Sequence, residues 1–182
     1  IEACSQISPV DLNAMMYKYE KYLAKIYREK GKDTYAKSFE TLAQKRKNIF
    51  DTYFWKNGFY FDYDFKNRKI QNQKTLAALW PLWVGIADKA QTEVVLNTIE
   101  KEFIKPNGVI SNTKSLEYFS PEYQWIAYEV FVKNNKPKTA NTIKKNWIEF
   151  NKKYFEKNQT IFTNDNERRD IAVSILLKFL AE

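Results

Sequence analysis

The chain contains no histidine. Any proton transfer it performs must fall to carboxylates, lysine or tyrosine. Ser-His-Asp and Cys-His nucleophiles and His-ligated zinc are excluded. Several polar residues stand in short patterned stretches. Asp11 and Asn13 lie in PVDLNA, Pro9 to Ala14. Asp62 and Asp64 sit among aromatics in FYFDYDF, Phe59 to Phe65, a strand-like alternation that puts both acids on one side. Tyr123 and Trp125 offer ring faces in SPEYQW. Each admits two readings. Asp11 and Asn13 cap a helix and bond its neighbours, or they form a polar shelf beside a ligand. Asp62 and Asp64 bond backbone amides in a turn, or they shape a cleft. Tyr123 and Trp125 start a helix, and their rings pack or stack on a ligand. Glu20 is expected as the buried ion-pair partner of Arg46.

The elements that must position these residues are almost all helical. The first helix carries Leu12, Met15, Met16, Tyr19, Leu23, Ile26 and Tyr27 on one stripe, with Ser8 as N-cap and Pro9 at the first helical position. A second runs from about Thr34 to Trp55 with Tyr35, Phe39, Leu42, Ile49, Phe50, Tyr53 and Phe54 inward, stopped by Asn57-Gly58. One short extended hairpin follows near Phe59 to Asn67. A third helix, TLAALWPLWVGIA, is apolar nearly all round, with Pro81 kinking it or in its first turn. A fourth spans about Lys89 to Phe103, and KPNG makes a turn. Ser120-Pro121 starts a fifth. A sixth runs from about Thr139 to Tyr154 with Ile143, Trp147, Phe150 and Tyr154 inward. A seventh follows TNDN with Ala172, Ile175, Leu176, Phe179 and Leu180 on one face. The expected class is all-α, about seven helices in antiparallel pairs, in a single domain over 1–182.

Composition narrows the classes further. Of 182 residues, 44% are apolar and 29% charged, as in a folded protein with a core. No apolar run reaches the roughly 20 residues that span a bilayer. The first residues lack the basic and apolar regions of a signal peptide. A soluble protein is expected, its compartment open. The single cysteine, Cys4, excludes an internal disulfide. The net charge of +8 comes from lysines spread along every helix, and no nucleic-acid-binding motif accompanies it. Neither nucleic acid nor a membrane is expected as a partner, and no cofactor or metal is expected.

The motifs taken together resemble the trehalase family. The matching blocks are PVDLNA, then GFYFDYDF (Gly58 to Phe65), PLWVGIA (Pro81 to Ala87), GVI (Gly108 to Ile110) and the W-x-x-x-N-x-x-Y helix in WIEFNKKY (Trp147 to Tyr154). Their order and spacing cover most of the chain and are similar to the C-terminal portion of the family's catalytic domain. The resemblance implies part of an (α/α)6 toroid, a ring of inner helices wrapped by outer ones, twelve in all. It implies inverting hydrolysis of trehalose, with an Asp as general acid and a Glu as general base. In such enzymes the two carboxyls stand about 6.5–9.5 Å apart to admit water.

The departures from the family pattern set further expectations. The family's acid belongs to an ESGWD-type segment upstream of PVDLNA, which has no counterpart from Ile1 onward. The family's QWD-x-PNGWAPLQ block is shortened to LEYFSPEYQW, Leu116 to Trp125. The family's GGGGEY base loop is replaced by FTNDNERRDIAV, where Glu167 is the nearest carboxylate and the one catalytic candidate. The expected sugar contacts are Asp11, Asn13, Asp62, Asp64, Tyr123 and Trp125, for trehalose or another glucoside. The chain alone is expected to be inactive, or to be a non-catalytic scaffold derived from this fold. A half-toroid leaves inner helix faces uncovered, so a homo-oligomer or a partner is expected over Trp80, Trp83 and Trp125.

Overall fold

The computed structural model describes residues 6–114, 119–162 and 169–181. It forms two compact units, Ile1–Val95 and Leu96–Glu182.

The first unit is built on a helical hairpin. Strand β1 (Ile7–Ser8) leads through Pro9 into α1 (Val10–Glu29), and α2 (Asp33–Ile49) returns beside it. The cap is Pro9, one residue later than Ser8, because Ser8 is held in β1 against the strand that contains Asp64. The two helices approach closely because their facing line is small. Ala14, Ala24, Ala36 and Ala43 are each at most 3% exposed. At the loop end Tyr27 stacks on Tyr35 and on Phe39.

This pairing keeps only part of the inward face expected for α1 and α2: Phe50 and Phe54 are buried, and Met15, Leu23, Ile26, Tyr27 and Phe39 are half-buried. Leu12, Met16 and Tyr19 are 52%, 42% and 61% exposed, and Tyr35, Leu42, Ile49 and Tyr53 are exposed as well. The periodicity found the larger apolar stripe. The helices instead bury a line of alanines around the Glu20–Arg46 pair. The last turn of α2 widens into a π-helical turn, Phe50–Phe54, which drives Phe50 and Phe54 into the core.

Two short antiparallel sheets form where the alternation in FYFDYDF pointed to one hairpin. Strands β2 (Trp55–Lys56) and β3 (Phe59–Tyr60) pair across Asn57-Gly58. These two residues have φ of 51° and 78°, the left-handed pair of a two-residue hairpin turn. They therefore close a hairpin, and the helix ends before them. Strand β4 (Tyr63–Asp64) lies between β1 and β5 (Lys69–Ile70). A short 3-10 turn, Leu76–Ala78, then enters α3 (Leu79–Val84), with Pro81 in its first turns and Leu79, Pro81 and Leu82 buried. Helix α4 (Lys89–Glu102) carries the boundary between the units. The Tyr60 hydroxyl, fully buried, donates to Gln91 Oε1 at 2.9 Å.

In the second unit, β6 (Ile104–Lys105) and β7 (Gly108–Val109) form a third sheet around KPNG. Helix α5 (Pro121–Lys133) starts with Ser120 as N-cap and proline in the first turn, as the sequence indicates. It packs on α6 (Pro137–Asn158) and on α7 (Arg169–Ala181). Ile143 and Trp147 are fully buried, and Phe150 and Tyr154 join Trp147 and Phe162 in one ring cluster. On α7, Ala172, Ile175 and Phe179 are buried, whereas Leu180 is 62% exposed. Seven α-helices stand among the described residues, and none of them is long and apolar enough to cross a membrane.

Candidate functional site

The polar residues of PVDLNA are placed by two partners distant in sequence. The first is Asp62. Its Oδ1 accepts the Val10 N–H at 2.8 Å, so a side chain from the extended segment caps α1 where Pro9 cannot. Asp62 is half-buried. Burial pushes its carboxyl above the ordinary Asp range, the Val10 N–H pulls against that, and the charge of Asp11 adds to it. Asp11 itself accepts the N–H of Leu12 at 2.7 Å.

The second partner is Arg46 of α2. Its Nε and Nη2 grip Glu20, with Nε to Oε2 at 3.0 Å and Nη2 to Oε1 at 2.7 Å. Its Nη1 donates to Asn13 Oδ1 at 3.0 Å. Asn13 in turn donates to the Pro9 carbonyl at 2.8 Å and to Ser8 Oγ at 3.0 Å. A planar guanidinium with five donors is needed to hold two partners at once. The expected Glu20–Arg46 pair is present, and it extends to Asn13, a link that sequence reasoning missed. Nothing in the spacing of residues 13, 20 and 46 announces it.

Asp64 goes elsewhere. It accepts the Asn67 N–H at 2.9 Å and Asn67 Nδ2 at 2.8 Å, inside the β4–β5 turn. The Asn67 side chain, followed by the Asn67 N–H, holds its carboxyl below the usual Asp range. The two acids of FYFDYDF therefore serve different partners, one the helix N-terminus and one its own turn.

In the second unit Tyr123 and Trp125 lie half-buried on α5. Trp125 packs against Tyr128 and Phe179, and Lys178 Nζ sits 4.9 Å from its ring centre. Between them Gln124 is fully buried, and sequence reasoning passed over it. Its amide donates to the Val109 carbonyl and accepts the Val109 N–H, both at 2.8 Å, completing the edge of β7. A lone glutamine in an apolar helix face was the available signal. The W-x-x-x-N-x-x-Y residues also act locally: Asn151 donates to the Trp147 carbonyl and accepts the Phe162 N–H at 3.1 Å. Glu167 lies outside the described residues.

The chemistry on offer in the first unit is a hydrogen-bonding edge at the start of α1. It includes one carboxyl, Asp62, whose surroundings favour retention of a proton. Such an edge presents hydrogen-bond donors and acceptors of the kind that hydroxyl groups match.

The family model described as Trehalase matches residues 2–169. A periplasmic trehalase of Citrobacter koseri is 36% identical over 133 residues, which are 69% of this chain and 23% of that protein. A periplasmic trehalase of Escherichia coli K12 is 36% identical over 135 residues, 69% of this chain and 24% of that protein. The chain thus spans about a quarter of the length of these relatives. The solved structure of neutral trehalase from Saccharomyces cerevisiae superposes with a TM-score of 0.84 at 19% identity, covering 98% of this chain and 38% of that one. A mannosylglycerate hydrolase from Thermus thermophilus, in complex with glucose, gives 0.71 at 15% identity, covering 94% and 48%. At these identities the structural likeness concerns the fold.

Proposed function

Because the chain belongs to the trehalase family of glycoside hydrolases, we propose that it forms part of the sugar-facing wall of an inverting hydrolase acting on α,α-trehalose or another glucoside, and that it is inactive by itself. Its fold is part of the (α/α)6 toroid of that family. One observation carries the reading. The PVDLNA and DYD motifs, far apart in sequence, meet in the Asp62–Val10 hydrogen bond. On this reading Asp11, Asn13 and Asp62 form the polar edge beside the sugar, and Asp64 stiffens the turn behind it. Tyr123 and Trp125 supply ring surface in the second unit, and Glu167 remains the candidate base.

Inactivity follows from the arithmetic of the reaction. Inversion needs an acid on one face of the sugar and a base on the other. Of the described carboxylates singled out in the sequence, Glu20 is gripped by Arg46 and Asp64 is bonded into its turn. Asp62 alone combines partial burial with a raised proton affinity. The names of the curated relatives favour a periplasmic setting.

The test mixes the purified chain with trehalose, follows glucose release, and measures trehalose binding by calorimetry. The expected result is no release above buffer, with binding that Asp11→Asn weakens. Turnover abolished by Asp62→Asn or Glu167→Gln would overturn the inactivity. Absence of any trehalose or glucose binding would favour a second reading, a non-catalytic interaction domain derived from this fold. The exposed apolar residues of α1 and α2, including Leu12, Tyr19 and Leu42, support that second reading. Under it, a second copy or a partner covers them.

A further inference from the structure

Two of the four glycines follow an asparagine, in Asn57-Gly58 and Asn107-Gly108. Glycine carries no side chain to shield its backbone nitrogen, so that nitrogen can reach the side chain of the asparagine before it. The fold treats the two pairs differently. Asn57 and Gly58 are the loop of the β2–β3 hairpin, because Lys56 pairs with Phe59. Asn57 is exposed and Gly58 half-buried. The Gly58 nitrogen therefore lies outside the ladder. Gly108 is a ladder residue, paired with Lys105 and buried against Gln124 and Trp147. Its nitrogen is held within the sheet. The hairpin turn also demands the reactive pair. Both loop residues have positive φ, 51° at Asn57 and 78° at Gly58, which asparagine tolerates and glycine favours. A Cβ at position 58 would moreover lie 2.8 Å from Val94 Cγ1, so no other residue fits there.

We propose that Asn57 is a site of spontaneous deamidation in the folded chain, and that Asn107 is protected from the same reaction. Two residue pairs make a weak ladder, and an exposed tip opens at little cost. The backbone nitrogen of Gly58 then loses its proton and attacks Asn57 Cγ. A new C–N bond closes a succinimide ring, the bond from Cγ to Nδ2 breaks, and ammonia leaves with the proton. Water opens the ring at either carbonyl. One opening leaves aspartate at position 57, and the other leaves isoaspartate, with the main chain running through the side-chain carboxyl. The net change is amide plus water to carboxylate plus ammonium, with no oxidant and no enzyme. Isoaspartate adds a backbone carbon to a two-residue loop, so Lys56 and Phe59 lose their register. Phe59 and Tyr60, 1% and 0% exposed, are the next residues along and belong to the core. The modification therefore loosens the first unit from its surface inward. It needs only water, so it stands apart from sugar binding.

The test ages the 182-residue chain at physiological temperature and mildly alkaline pH. Samples taken over time are digested at mildly acidic pH, and the peptides that hold Asn57 and Asn107 are quantified by mass spectrometry. Electron-transfer fragmentation separates isoaspartate from aspartate. Conversion at position 57 is expected to be at least about tenfold faster than at position 107 in the folded chain. In concentrated urea the two sites should convert at similar rates, because the ladder and the burial of Gly108 are gone. The rate at position 57 should rise with pH, since the attacking nitrogen must shed its proton. Asn57→Gln, which would have to close a larger ring, should stop the mass gain at that position, with circular dichroism establishing that the variant is folded. The aged fraction should unfold at a lower urea midpoint than fresh chain. Conversion at position 57 no faster than at position 107 in the folded chain overturns the proposal. So does conversion at position 57 seen only in urea, or a product with aspartate and no isoaspartate.

Discussion

Val10 and Asp62 are 52 positions apart, and the N–H of one meets the carboxylate of the other at 2.8 Å. This bond satisfies a donor that Val10, fully buried, would otherwise leave orphaned at the start of α1. It also fixes where the first turn of the helix stands against the extended segment.

Removing the acceptor should cost stability. Asp62→Ala is expected to destabilise the chain by about 1–2 kcal/mol, since the buried N–H loses its partner. Asp62→Asn keeps an acceptor and sheds the buried charge, and should be close to neutral near pH 7. The sign of the pH effect follows from the raised proton affinity of folded Asp62. Between the unfolded and folded pKa values the folded state holds the extra proton, so stability falls as pH rises through that window. Urea titrations from the ordinary carboxylate range upward should show this fall in the parent chain and not in Asp62→Asn.

Asp64 should behave in the opposite sense. Its folded pKa is depressed by Asn67, so its contribution is present above the unfolded pKa. That contribution disappears as pH drops through the folded value. Asp64→Asn is expected to shrink the acid-limb loss of stability in the same titrations, and Asn67→Ala should do likewise.

The Glu20–Arg46 pair is mostly enclosed, its side chains 11% and 18% exposed. Arg46→Ala should cost about 3–5 kcal/mol, because it strands Glu20 between helices. The double change Glu20→Leu/Arg46→Met should recover most of that loss. Asn13→Ala in the Arg46→Ala background should add less than it does alone, the mark of a shared network.

Gly108, the one glycine of the second unit, leaves no room for a side chain. Its φ is 114°, and an added Cβ would lie 2.4 Å from Gln124 Oε1. Gly108→Ala should therefore cost about 2 kcal/mol or more, combining backbone strain with loss of the Gln124–Val109 bonds. Gln124→Ala, which deletes the same bonds without the strain, should cost less. Denaturant midpoints of the two variants decide the order.

Much of this architecture is written locally. Ser120-Pro121 marks the start of α5, and Ile143 and Trp147 mark the buried face of α6, because a long helix repeats its signal over several turns. Two-residue strands repeat nothing, so β1, β6 and β7 left no readable period. Periodicity also says that a helix has an apolar stripe, not which neighbour covers it. That is why Leu12 and Tyr19 were placed inside while Ala14 and Ala36 do the packing. At the candidate site, Asp11, Asn13 and Asp62 were legible as residue types in motifs. Their partners were legible only where charge demanded one, as for Glu20. The Asp62–Val10 and Arg46–Asn13 bonds join residues through the fold, and a linear pattern holds no record of them.

Of the five tryptophans, Trp147 alone is fully enclosed, walled by Phe150 and Phe162, with no partner for its indole N–H among the described residues. Trp55, Trp80, Trp83 and Trp125 all reach solvent in part. An aqueous quencher such as iodide can therefore extinguish the emission of those four and leave a residual blue-shifted band. That band belongs to one ring at the heart of the second unit. Its disappearance during unfolding times the opening of that interior alone, without a label or a substitution.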